Sequence, residues 1–123
     1  MKTICLSASM RFKSLLAETM AQAEAYGLEA LFPNLDFAVP KEDLNPAMMQ
    51  KLCWDEFDAI DKAEALYVLN PGGYIGTLVK IEIGYALGKD KPVYFSEAAN
   101  SLDLDALCSG VIPVEGIARF QEM

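Results

Sequence analysis

Histidine is absent from the 123 residues. Its absence removes histidine triads, histidine general bases and most transition-metal sites. Cysteine is scarce: Cys5, Cys53 and Cys108 are odd in number, far apart and form no C-x-x-C. That spacing gives no basis for a disulfide framework or a zinc site. Set among apolar neighbours, the three read as buried, reduced thiols of a cytoplasmic protein. No apolar run nears the ~18 residues of a membrane span, and Met1 to Leu6 is too short for a signal peptide. Positive charge is also in short supply: 10 Lys and Arg stand against 18 Asp and Glu, a net charge of −8. An acidic surface repels phosphate backbones and argues against nucleic acid as a partner. It leaves room for one small anionic ligand held by local donors. No metal or cofactor is expected.

What is present is a globular composition, 53% hydrophobic and 23% charged, and a length that suits one domain over residues 1–123. Short apolar runs alternate with helical periods, which predicts an α/β fold with a parallel sheet. Strands are expected at Thr3 to Ser7, Leu28 to Phe32, Ala65 to Leu69, Pro92 to Phe95 and Val111 to Val114. A helix carries Phe12, Leu15, Leu16, Thr19, Met20 and Ala23 on one face and stops at Gly27. Asn45-Pro46 reads as the cap and first residue of a helix reaching about Ala63. A third helix runs from about Leu78 to Leu87 with Thr77 as its cap, and Ser101 to Cys108 holds one or two helical turns. Five strands in this length predict a flavodoxin-like or Rossmann-like three-layer sandwich in the order 2-1-3-4-5. In that order the ends of strands 1 and 3 face one crevice. Ser7, Ser9 and Arg11 would line it from one side and Asn70, Gly73, Tyr74, Gly76 and Thr77 from the other.

Two acids sit against the grain of their helices. At 100° per residue Glu82 falls inside an apolar face made of Leu78, Val79, Ile81, Ile83, Tyr85, Ala86 and Leu87. Glu56 falls inside the stripe of Leu52, Cys53, Phe57, Ile60 and Ala63, while Asp55, Asp58 and Asp61 take the wet face. A carboxylate placed so must be hydrogen-bonded or line a cavity, and its pKa is pushed upward. Such acids are candidates for catalysis. The structural alternative is that they accept backbone N–H groups or pair with Arg11. Gly72, Gly73 and Gly76 spell neither G-x-G-x-x-G nor a P-loop; they serve a tight strand-to-helix turn or a close approach of backbone to ligand. Ser7, Ser9 and Arg11 suit an oxyanion or phosphate, with plain helix capping as the alternative. Met48, Met49 and Trp54 read as core or subunit contact.

The run Gly76-x5-Glu82-Ile83-Gly84-Tyr85-Ala86, followed by Gly88-Lys89-x-Lys91-Pro92-Val93, resembles the nucleoside 2-deoxyribosyltransferase superfamily, which includes the 2'-deoxynucleoside 5'-monophosphate N-hydrolases. Ser9-Met10-Arg11 resembles the Ser-x-Arg that binds the 5'-phosphate in the hydrolase branch. Glu56 falls where the family usually has an aspartate near sugar and base. The resemblance implies that Glu82 is a nucleophile forming a glycosyl ester, resolved by water or by a second base. It implies that Glu56 binds sugar hydroxyls or protonates the leaving base. It further implies a homodimer or larger homo-oligomer acting on a nucleoside or nucleotide. The family commonly holds its nucleophile with a tyrosine early in strand 1. Here Cys5 takes that position, leaving Tyr67, Tyr74 and Tyr85 as candidate substitutes. A non-catalytic nucleotide-binding or sensing module of the same fold is the alternative function, favoured by Cys5. A flavin carrier lacks support, because no Ser/Thr-rich phosphate loop is present.

Overall fold

A computed structural model describes residues 1–123, the side chain of Lys41 excepted. Five strands, β1 (Thr3–Ser7), β2 (Glu29–Leu31), β3 (Ala65–Val68), β4 (Val93–Phe95) and β5 (Gly110–Val111), form one parallel sheet. Its order is β2-β1-β3-β4-β5, the predicted 2-1-3-4-5. Four helices, α1 (Lys13–Ala25), α2 (Pro46–Lys62), α3 (Thr77–Gly88) and α4 (Leu102–Leu107), supply the crossovers.

The central strands are buried on both faces, so they read as continuous apolar runs, and their period of two sorts side chains between two cores. From β1 and β3, Ile4, Leu6, Tyr67 and Leu69 point to one side, where Leu16 and Ala23 of α1 and Ile117 and Phe120 of the C-terminal 3-10 stretch (Val114–Glu122) cover them. The Tyr67 hydroxyl donates to the Ile112 carbonyl, and burial pushes its pKa up. Cys5, Leu66 and Val68 point to the other side, against Ala59 and Ile60 of α2 and Val79, Ile83 and Ala86 of α3. Ser7, two residues beyond Cys5, faces that side too, because its hydroxyl meets α3. The alternation of β1 thus aims Cys5 and Ser7 at the two helices that carry the misplaced acids.

Local signals fix most boundaries. Asn45 caps α2, its side chain accepting from the Met48 N–H at 2.9 Å, with Pro46 at the first helical position. Gly27, at φ +78, ends the turn after α1. Three expectations need correction. Thr77 is the first residue of α3 rather than its cap: Gly76 holds the extended cap position, and no side chain caps that end. The fifth strand is Gly110–Val111, two residues long, because Ile112 turns into the core and Pro113 opens the 3-10 stretch. On α3 the sheet takes only one flank, leaving Leu78 and Ile81 exposed. Among the described residues no helix is long and apolar enough to cross a membrane.

Candidate active site

The C-terminal ends of β1 and β3 open onto a cavity of about 670 Å³, within the range of small-molecule sites. Glu56 from α2 and Glu82 from α3 both line it. Glu56 is 5% exposed and Glu82 is half-buried. The two carboxyl groups are near enough for the protonation of one to bear on the other. Each also has a donor from β1: the Ser7 hydroxyl gives its proton to Glu82 Oε1 at 2.8 Å, and the Cys5 thiol donates to Glu56 Oε1 at 3.1 Å. Neither acid pairs with Arg11.

The two acids differ in how easily they ionise. Burial raises the Glu82 pKa to about 7, against the opposing pull of hydrogen bonds from Ser7 and Glu56. Burial raises Glu56 well above the ordinary carboxylate range; the Glu82 charge and their shared proton add to it, and the Cys5 thiol works the other way. Where two neighbouring carboxyls compete, the one with the better donors ionises first. The pull toward the charged form is therefore stronger on Glu82, and the pull toward the protonated form stronger on Glu56. Cys5, fully buried, is raised in turn, first by burial and then by the Glu56 charge, so it stays a neutral donor.

Of the residues predicted to bind ligand, Ser9, Tyr74, Gly76 and Thr77 line the cavity. Ser7 lies beneath Glu82, fully buried. Arg11 is not among the lining residues; its guanidinium stacks 3.9 Å from the centre of the ring of Tyr74, which is. Asn70 and Gly73 serve the loop. Asn70 is fully buried; its side-chain amide donates to the Glu97 carbonyl, while its oxygen accepts from the Ser96 hydroxyl and the Glu97 N–H. Gly73, at φ +84, lies so close to the next loop that a Cβ there would stand 2.9 Å from the Ala98 carbonyl oxygen. Its freedom makes the turn and the loop contact.

None of the three tyrosines replaces the donor expected early in β1. Tyr67 is committed to Ile112, the Tyr85 hydroxyl donates to Asp61, and Tyr74 carries Arg11. Ser7 does that work. The sequence reading also missed Lys13, which lines the cavity and whose ammonium donates to the Phe37 carbonyl at 3.2 Å. It missed that Phe37, Val39 and Leu44, from a loop without periodicity, complete an apolar wall with Phe32 and with Leu52 of α2. All three cysteines are free, but only Cys5 is fully buried; Cys53 and Cys108 are half-buried. Among the described residues no group of three or more acids and cysteines is arranged to hold a metal ion.

No protein-family model matches the sequence, and no curated protein sequence matches it. Solved structures do match. A conserved protein of Enterococcus faecalis V583 superposes with a TM-score of 0.65 at 17% identity, over 100% of this chain and 99% of that one. A 2-deoxyribosyltransferase of Bacillus psychrosaccharolyticus superposes with a TM-score of 0.62 at 14% identity, over 94% of this chain and 90% of the other. The chain has the nucleoside 2-deoxyribosyltransferase-like fold. A CMP N-glycosidase of Clostridium botulinum superposes as well, with a TM-score of 0.59 at 16% identity over 98% of both chains. At 14–17% identity the likeness is one of backbone. In a 2-deoxyribosyltransferase-like fold with strands in this order, the crevice at the ends of β1 and β3 is the topological switch point, where ligands of open α/β sheets bind. The paired acids stand there.

Proposed function

We propose that the protein cleaves or transfers the N-glycosidic bond of a 2'-deoxynucleoside or its 5'-monophosphate. The observation that carries this reading is the Glu56–Glu82 pair: two neighbouring carboxyl groups, held by the Cys5 thiol and the Ser7 hydroxyl, in the wall of a cavity of nucleoside size. Solved structures of the same fold with names denoting glycosidic-bond enzymes support it.

In this reading Glu82 attacks the anomeric carbon. The carbon–nitrogen bond breaks, its electron pair leaves with the base, and the Glu56 proton neutralises the departing nitrogen. A glycosyl ester on Glu82 remains. Water or the N–H nitrogen of a second base, either one losing its proton to the Glu56 carboxylate, then attacks the same carbon and frees Glu82. Two displacements retain configuration. The charge of Glu82 also stabilises the oxocarbenium-like transition state, and the low-polarity setting that raises its pKa strengthens that attraction. Ser7 is the donor that keeps Glu82 ionised in such a setting. The apolar wall of Phe32, Phe37, Val39 and Leu44 takes the base, and the Ser9 and Thr77 hydroxyls with the Lys13 ammonium suit a 5'-phosphate.

The test is chromatography of the four 2'-deoxynucleosides and their 5'-monophosphates after incubation with the protein, with and without a second free base, beside Glu82→Gln. Base release that is lost in Glu82→Gln identifies a hydrolase, and exchange that requires the added base identifies a transferase. Stoichiometric binding without turnover of any substrate overturns the reading in favour of a sensing module.

A further inference from the structure

The polar side chains that line the cavity divide by place. Ser9, Lys13 and Thr77 suit a phosphate, and Glu56 and Glu82 stand at the reacting bond. Asn34, from the loop after β2, belongs to neither group. It lines the cavity beside Phe32, Phe37 and Leu52 of the apolar wall, where the base would lie. An amide in such company needs its hydrogen bonds. Asn34 Nδ2 donates to the Leu52 carbonyl at 3.3 Å, which as an acceptor within α2 also takes the Glu56 N–H. Oδ1 meets no donor among the described residues and is not sealed from solvent.

A side-chain amide that is free to turn over offers a ligand either its oxygen or its nitrogen. Asn34 has no such freedom. A backbone carbonyl accepts and cannot donate, so the atom facing Leu52 has to be the nitrogen, and the acceptor is left for a ligand. The backbone is pinned as well: the Asn34 carbonyl accepts from the Phe37 N–H at 3.0 Å, and the Lys13 ammonium donates to the Phe37 carbonyl at 3.2 Å. Leu52, which anchors the amide, lies one turn before Glu56, about 6 Å along the axis of α2.

We propose that Asn34 selects the base, its Oδ1 accepting from the exocyclic amine of cytosine or adenine. The proposal rests on Glu56 meeting the base nitrogen that carries the sugar. A base extending from Glu56 toward Asn34 then presents its far end, C4 of a pyrimidine or C6 of a purine, to Oδ1. Cytosine and adenine carry an amine donor at that end. Thymine, uracil, guanine and hypoxanthine carry a carbonyl oxygen there, and two acceptors face to face repel. Phe32, Phe37 and Leu52 offer apolar contact to every base alike, so the amide carries the discrimination.

Matched substrates test this: dCMP against dUMP, and dAMP against dIMP, each pair exchanging the amine for a carbonyl. The ratio of kcat/KM within each pair is read in the wild type. The ratio of Kd is read by calorimetry in Glu82→Gln, where binding is separated from turnover. The amine member is expected to be favoured about 10- to 100-fold in both ratios. Asn34→Leu, with its fold checked by circular dichroism, is expected to bring each ratio close to one. Equal or inverted preference in the wild type overturns the proposal, as does a preference that survives Asn34→Leu. A binding preference for the amine that Asn34→Leu abolishes, with no base released from any of the four, supports Asn34 as the selecting residue and overturns the glycosidic-bond reading instead. Binding of none of the four overturns both.

Discussion

Ser7 donates to Glu82 and Cys5 donates to Glu56, and the two donors are unequal: a hydroxyl at 2.8 Å and a thiol at 3.1 Å. A hydrogen bond to a charged carboxylate contributes about 1.5–3 kcal/mol, more than a neutral one. Removing it by Ser7→Ala is therefore expected to push the Glu82 pKa above 7 and to lower kcat/KM at neutral pH by about 10- to 100-fold. In the pH–rate profile the acid limb moves toward alkaline pH while the maximum is largely retained. An unmoved limb would show that Ser7 does not control Glu82. Cys5→Ala acts on the other member: Glu56 loses a hydrogen bond to its charged form, so its pKa rises further and the alkaline limb moves up, whereas Cys5→Ser restores it. Glu56 and Glu82 were legible in the sequence because each breaks the amphipathic period of its own helix. The donors were not, because which β1 side chain meets which acid depends on the pleat of β1 and the placement of two helices more than 50 residues away.

The loop after β3 shows what an element demands of its residues. Gly72 and Gly73 both hold positive φ, +66 and +84, but only Gly73 is crowded, by the Ala98 and Ala99 carbonyls. Gly72→Ala is expected to cost about 1 kcal/mol for the left-handed backbone alone. Gly73→Ala adds the clash and is expected to cost about 2–3 kcal/mol, read as the difference in free energy of urea unfolding. Equal losses would contradict the contact with residues 98 and 99. The bounds of α2 followed from Asn45-Pro46, and the strand order from the alternation of runs, since these signals are local or topological. The fifth strand and the cap of α3 were misplaced. Ile112 reads like strand but belongs to a turn into the core, and the extended cap position falls one residue before Thr77, at Gly76.

For the whole molecule, two buried acids make stability depend on pH in an unusual direction. An acid whose pKa rises on folding binds more protons folded than unfolded, so stability falls as pH rises from its unfolded to its folded value. For Glu82 that window runs from 4.5 to about 7. Glu82→Gln removes the burden, of order 2–3 kcal/mol, and is expected to raise Tm by several degrees at pH 8 and to leave it nearly unchanged at pH 4.5. A gain equal at both pH values would mean that ionisation is not its cause.

The most direct test of that chemistry is mass spectrometry of the intact protein quenched during turnover of whichever deoxynucleoside or deoxynucleotide it cleaves. The wild type is expected to carry one added 2-deoxyribosyl group, phosphorylated if the substrate is, on the peptide containing Glu82, and Glu82→Gln to carry none. Base release that continues undiminished in Glu82→Gln, with no adduct on either protein, would contradict the assignment of Glu82 as nucleophile.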